Sequence, residues 1–241
     1  MKGLGTIINM AAVFGGGIIG LIIKGGIPEN FKKVMIQACG LASMLIGLSG
    51  ALGEMLKVEN GSISVSGTML MVCSMVIGAF LGQLMDIEGK LDMAGEKLKT
   101  LAKAQGDNRF VDGFVTVSLI VCIGAMAVMG SIEDGLTGDY SMLVAKSILD
   151  GIIAIVFAAN LGVGVLFAAL SIGVYQGSIT LLAVFIAPYM TEAMISGLSM
   201  VGGLLITAVG INLIWDNKIH VGNMLPAIFI PVVYEIIRIQ L

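Results

Sequence analysis

Apolar runs long enough to cross a bilayer recur along this chain, and no other feature narrows its fold as much. An α-helix rises about 1.5 Å per residue and a hydrocarbon core is about 30 Å thick, so a spanning helix needs roughly 17–25 mostly apolar residues. Eight such runs are read near 3–23, 34–56, 66–85, 111–130, 142–159, 161–184, 190–214 and 224–241. With 57% hydrophobic and 12% charged residues and a mean hydropathy of +1.03, the 241 residues carry too little polar surface for a water-soluble domain. The expected class is an all-α, polytopic protein of about eight spans embedded in the lipid bilayer. The last run contains Pro226, Pro231, Glu235 and Arg238 and is the weakest. It is read as a span because neighbouring helices can re-satisfy the backbone groups that proline frees. The first run is long for a secretory signal and lacks a cleavage site, so it is read as a permanent helix.

The loop charges set an orientation. Lys24, Lys32, Lys33, Lys90, Lys97, Lys99, Lys103, Arg109 and Lys218 fall on one face, and the positive-inside rule makes that face cytoplasmic. Both termini are then extracytoplasmic, and Glu133, Asp134 and Asp139 form an acidic external loop. The only long polar stretch is 86–108, within the connecting segment 86–110. There Ile87, Leu91, Ala94, Leu98 and Leu101 recur at helical spacing under a face of mixed charges, which describes an amphipathic cytoplasmic helix.

Other classes fare poorly. A net charge of −3 offers no basic surface for nucleic acid. Cys39, Cys73 and Cys122 each sit inside an apolar run, at spacings that match no zinc or redox motif, and read as small buried hydrophobes. Gly47-Leu48-Ser49-Gly50 resembles the serine motif of rhomboid-type intramembrane proteases, but the single histidine, His220, lies in a short loop. Catalysis needs a base facing that serine, so no enzyme is expected. No metal and no cofactor is expected either.

Compared with itself, the chain shows a duplication. Leu4 to Gly20 matches Leu161 to Gly177 at six of seventeen positions, including Gly16/Gly20 against Gly173/Gly177. Downstream and in order, Ile27-Pro28 meets Ala187-Pro188, Gly40 and Gly47 meet Gly203 and Gly210, and Gly67-Thr68-Met69-Leu70 meets Gly222-Asn223-Met224-Leu225. The expected organisation is a single membrane domain with a first three-span unit in 1–85, connecting spans in 111–160 and a second unit in 161–241. The two units are five spans apart, an odd offset, and so inverted. Pairs such as Gly16/Gly20, Gly78/Gly82 and Gly173/Gly177 are expected to let helices approach closely, and they make a homodimer an expectation as well.

A charge near the bilayer centre costs about 2.5–3.5 kcal/mol on insertion scales, so each one marks a candidate site. Asp150 lies halfway along the fifth run, four residues after Lys146, and the two share a helical face. Mutual neutralisation and a role in ion or proton coupling are both open to this pair. Uncharged hydrogen-bonding residues inside the runs include Asn9, Gln176, Asn212 and Asn223, with Asn160, Thr68, Ser43 and Ser171. Singly each reads as a bond between helices; together Asn9, Gln176, Asn212 and Asn223 are read as lining a site with Asp150 and Lys146. Thr68 with Asn223, and Ser49 with Asn212, occupy repeat-related places.

Three stretches carry a resemblance: GSIEDGLTGDYSMLVAKSILDGI at 130–152, LGVGVLF and YQGSITLLA within 161–183, and VGNMLPAI at 221–228. Together they resemble the YdfK/YqgA-like family of bacterial polytopic membrane proteins, a family of unknown function. The resemblance implies a protein of the bacterial cytoplasmic membrane and carries over no substrate or catalytic residue. The expected function is secondary transport of a small solute or cation by alternating access. An ion or small-solute channel formed by a homo-oligomer, or a non-transporting scaffold or sensor using the 86–108 helix, is the alternative.

Overall fold

The structure is a computed structural model and describes residues 2–24, 28–59, 62–104, 106, 108–123, 125–215 and 219–240. Lys218 and Ile27 lie outside the described residues, as do the side chains of Lys24, Lys32 and Cys39. The elements in chain order are α1 (Leu4–Lys24), α2 (Glu29–Met55), β1 (Leu56–Glu59), β2 (Ser62–Val65), α3 (Thr68–Met85) and α4 (Ile87–Leu101), then α5 (Phe110–Cys122), α6 (Ala125–Thr137), α7 (Ser141–Leu161), α8 (Gly164–Ile186), α9 (Glu192–Trp215), α10 (Val221–Met224), a 3-10 turn at Leu225–Phe229, and α11 (Ile230–Gln240).

Six helical segments among the described residues are long and apolar enough to cross a bilayer: Leu4–Ile23, Thr68–Met85, Ser141–Leu161, Gly164–Phe185, Glu192–Trp215 and Val221–Ile239. The bent pair Phe110–Cys122 and Met126–Thr137 makes a seventh if it is one span. The run read at 34–56 is helical as far as Met55, but its apolar part, Gly40–Met55, is shorter than a span. Pro226 and Pro231 leave the last segment continuous: each stands second in its element, the 3-10 turn and α11, where a helix makes no internal use of the amide.

The span read at 111–130 departs from a straight helix. It bends by 64° between α5 and α6, and α6 runs on to Thr137, through residues read as an external loop. Asp134 is accordingly not in an acidic loop: it is fully buried, and its two carboxylate oxygens accept the Gly3 and Gly5 amides at 3.0 Å each. The first amides of a helix have no partner within it, and the positive end of its dipole favours an anion. A hydropathy reading sees a charge and assigns water; the partner is the start of α1.

The connection from α2 to α3 is a two-stranded antiparallel hairpin, with Lys57 opposite Ser64 and Val58 opposite Ile63. Its signal is the alternation of polar and β-branched residues either side of Asn60-Gly61. Between α6 and α7, Asp139 accepts the hydroxyl and the amide of Ser141, and these bonds hold its carboxyl below the usual carboxylate range.

The chain divides into two compact units. One comprises Met1–Cys39, Leu91–Cys122 and Met126–Pro188; the other comprises Gly40–Lys90, Ile123–Ala125 and Tyr189–Leu241. Each draws elements from both sequence triplets. In the first, α1 runs parallel to α7: a methyl on Gly16 would lie 2.4 Å from the Gly151 carbonyl oxygen, and one on Gly20 would lie 2.3 Å from that of Ile155. Such approach is open only to glycine, and it gains the close backbone packing on which helix association in lipid depends. Against α8 the same helix runs antiparallel, with Met10 on Gly173 and Leu166 on Gly17. In the second unit α2 and α9 are antiparallel, Gly40 meeting Gly210 and Gly47 meeting Gly203. There α3 runs antiparallel to the last segment, Gly78 meeting Ala227 and Gly82 meeting Asn223.

Candidate functional site

Buried polar side chains concentrate in the first unit. Asp150 stands halfway along α7 and Lys146 one turn before it, with relative exposures of 3% and 7%. The Lys146 ammonium donates to Asp150 Oδ2 at 2.5 Å. The i, i+4 spacing puts both groups on one face, and the parallel packing of α1 on α7 brings Asn9 to that face. Asn9 Nδ2 donates to Asp150 Oδ2 at 3.0 Å and to Gln176 Oε1 of α8 at 3.3 Å. One turn from Asn9, the Thr6 hydroxyl lies 3.5 Å from that of Thr180 on α8.

Three helices thus supply one cation, one anion and two carboxamides, and the accounting of their bonds is incomplete. Asn9 and Gln176 are fully buried, and both amide protons of Asn9 are used. Asn9 Oδ1 and Gln176 Nε2 have no partner. At membrane depth no bulk water serves such atoms, and each unmet hydrogen bond costs free energy. The arrangement therefore has unspent binding capacity: one acceptor and one donor, next to an ion pair of zero net charge.

Asn212 and Asn223 do not join this cluster; both belong to the second unit. Asn212 ties the chain after α9 back to it, donating to the Ile219 carbonyl at 2.6 Å and accepting the Ile219 amide at 2.9 Å. Asn223 holds the corner between α3 and α4, donating to Gln83 Oε1 at 3.0 Å and accepting the Glu88 amide at 2.8 Å. Beside it, His220 Nδ1 lies 3.0 Å from Glu88 Oε1. Asn212 spends its amide on nearby backbone, and Asn223 spends its own on the Gln83 side chain and the Glu88 amide. The sequence marks them as polar residues in apolar surroundings, and nothing in that pattern separates them from Asn9.

Elsewhere in the first unit, Ser118 and Ser171 hydroxyls meet at 2.8 Å between α5 and α8, and Asn160 Nδ2 returns to the Val156 carbonyl of its own helix at 2.7 Å. These are bonds of the kind that hold helices to one another and to themselves. In the second unit Glu235 is buried and pairs with Arg238 at 3.0 Å, one turn away on α11. Among the described residues no group of three His, Cys, Asp or Glu side chains is placed to hold a metal ion.

A predominantly helical chain with six or seven membrane-length apolar segments among its described residues, and a charged cluster inside them, is a polytopic membrane protein. The chain belongs to the family described as protein of unknown function (DUF554), whose model matches residues 4–236. It is 32% identical over 227 residues to the uncharacterized membrane protein YdfK of Bacillus subtilis (strain 168), covering 94% of this chain and 93% of that protein. It is 30% identical over 231 residues to the uncharacterized protein YqgA of Escherichia coli (strain K12), covering 94% of each. No solved structure matches.

Proposed function

We propose that the protein is a secondary transporter of a small solute or ion in the bacterial cytoplasmic membrane, working by alternating access, with both termini extracytoplasmic. The observation that carries this reading is the cluster of Asn9, Lys146, Asp150 and Gln176. An ion pair and two carboxamides buried at membrane depth are costly to keep, and two of their atoms remain without a partner.

The packing of α2 on α9 supports an inverted repeat. In the sequence match Gly40 is the counterpart of Gly203 and Gly47 that of Gly210, while in space Gly40 meets Gly210 and Gly47 meets Gly203. Each glycine meets the counterpart of the other, which is the reciprocity a two-fold axis imposes. An axis in the membrane plane relates the two faces of a transporter, so exchanging the conformations of the two repeats exchanges which face is open. The test is flux in proteoliposomes loaded with candidate solutes, with and without a proton or sodium gradient. Asp150→Asn is expected to lower coupled flux by about tenfold or more; unchanged coupled flux in that variant removes Asp150 from the mechanism.

A further inference from the structure

Building on that reading for the place of the site, we propose that the Asn9–Lys146–Asp150–Gln176 cluster takes a small zwitterion, of the amino-acid class, with an ammonium and a carboxylate on one short carbon skeleton. The complementarity is read from the groups themselves. Two are acceptors, the Asp150 carboxylate and Asn9 Oδ1, and two are donors, the Lys146 ammonium and Gln176 Nε2. Each pair contains one full charge and one neutral amide atom. A ligand ammonium suits the first pair, and a ligand carboxylate suits the second.

Charge balance separates this class from its competitors. Lys146 and Asp150 neutralise each other within the cluster, both below a tenth exposed. A lone cation drawn to Asp150 leaves the Lys146 ammonium buried and uncompensated, and a lone anion drawn to Lys146 does the same to Asp150. A zwitterion trades one internal pair for two pairs with the ligand, and the buried net charge stays at zero throughout. It also supplies partners for Asn9 Oδ1 and Gln176 Nε2, the two atoms that the cluster's own bonds leave unserved. A neutral amide reaches only those two atoms and leaves the ion pair closed; a bound water does likewise.

The experiment is equilibrium binding to the purified full-length protein in detergent. The probes are labelled glycine, β-alanine and the remaining proteinogenic amino acids, with rubidium as the lone cation, acetate as the lone anion and acetamide as the neutral amide. At least one amino acid should bind. Its methyl ester, which lacks the carboxylate, and its N-acetyl derivative, which lacks the ammonium, should each bind about tenfold or more weakly. These analogues test the wild-type chain and need no variant to fold. Gln176→Leu and the charge-neutral double substitution Lys146→Met with Asp150→Asn, each checked for a monodisperse elution profile, should lose affinity by a similar factor. Preferred binding of rubidium, acetate or acetamide, equal binding of ester and amino acid, or binding of none of the probes overturns the proposal. Counterflow in proteoliposomes separates it from the transporter reading. An amino acid that binds without crossing the membrane upholds the site and removes transport, whereas cation flux with no amino-acid binding keeps transport and removes the zwitterion.

Discussion

Asn9 and Gln176, 167 positions apart, join α1 to α8 through one amide hydrogen bond of 3.3 Å, and each keeps one buried polar atom that bonds to nothing. The same Asn9 amide also bonds Asp150, so the helix pair and the ion pair on α7 form one network. Networks of this kind respond to substitution as a unit, since the loss of one member strands the others.

The ion pair gives the clearest case. Asp150→Asn alone, or Lys146→Met alone, leaves one buried charge without its partner and should cost about 3–5 kcal/mol of stability. The double substitution removes both charges and should cost less than the sum of the two singles, with a coupling of about 1–3 kcal/mol. Unfolding of the four proteins by SDS titration in mixed micelles measures the cycle. Additive losses would show that the 2.5 Å contact contributes no coupling.

Asp134 is expected to act as the N-terminal anchor of α1. Asp134→Ala strands the Gly3 and Gly5 amides and should cost about 1–3 kcal/mol, while Asp134→Asn, which retains one acceptor, should cost less. Melting temperatures in detergent rank the three proteins, and an unchanged value for the alanine variant rejects the cap.

Neighbouring glycines in α1 should respond with opposite sign. A methyl on Gly16 lies 2.4 Å from the Gly151 carbonyl oxygen, so Gly16→Ala should destabilise by about 1–3 kcal/mol. A methyl on Gly15 meets nothing within 4 Å, so Gly15→Ala should be neutral or stabilise by about 0.5–1 kcal/mol through the helix backbone alone. The same SDS titration reads both, and equal effects would contradict the α1–α7 contact.

At the α3–α4 corner the two partners of Glu88 should differ in weight. Asn223→Ala removes two hydrogen bonds from a buried side chain and should cost about 1–3 kcal/mol. His220→Ala touches a pair in which the imidazole is 71% exposed, and should change stability by less than about 1 kcal/mol. Thermal melts at neutral pH compare them.

Asp139 supplies a pH signature. Its carboxyl is held low by Ser141, so the stabilisation it brings is complete above the pKa of the unfolded chain and disappears as the pH falls through the lower folded value. The difference in melting temperature between wild type and Asp139→Ala should therefore be small, positive above pH about 4 and absent under stronger acid. A difference that grows on acidification would reverse the sign.

Much of the architecture was legible in one dimension because hydrocarbon admits so few backbone arrangements. A run such as Ser141–Leu161 has to be a helix wherever it sits, since no water is present to satisfy an open backbone. The Gly16/Gly20 spacing likewise announced close packing, and Lys146 with Asp150 announced a shared face, because both are consequences of helical periodicity within one segment. Which helix Gly16 meets is not a periodic property, and the bend between α5 and α6 or the hairpin after α2 depends on contacts and turns that hydropathy averages away.

Composition and periodicity determined that this chain lies in a membrane as a bundle of helices, and they named Asn9, Lys146, Asp150, Gln176, Asn212 and Asn223 as its polar residues at depth. The tertiary structure decided which of those six meet one another. Four converge because α1 and α8 both pack on or beside α7, whereas Asn212 bonds the Ile219 backbone and Asn223 bonds Gln83 and Glu88 at the α3–α4 corner. It also moved Asp134 from water to the interior, by supplying two amides at the head of α1. The reason is common to both: a polar side chain is read along the chain by what it is, but its role is set by which unpaired partner reaches it across the fold.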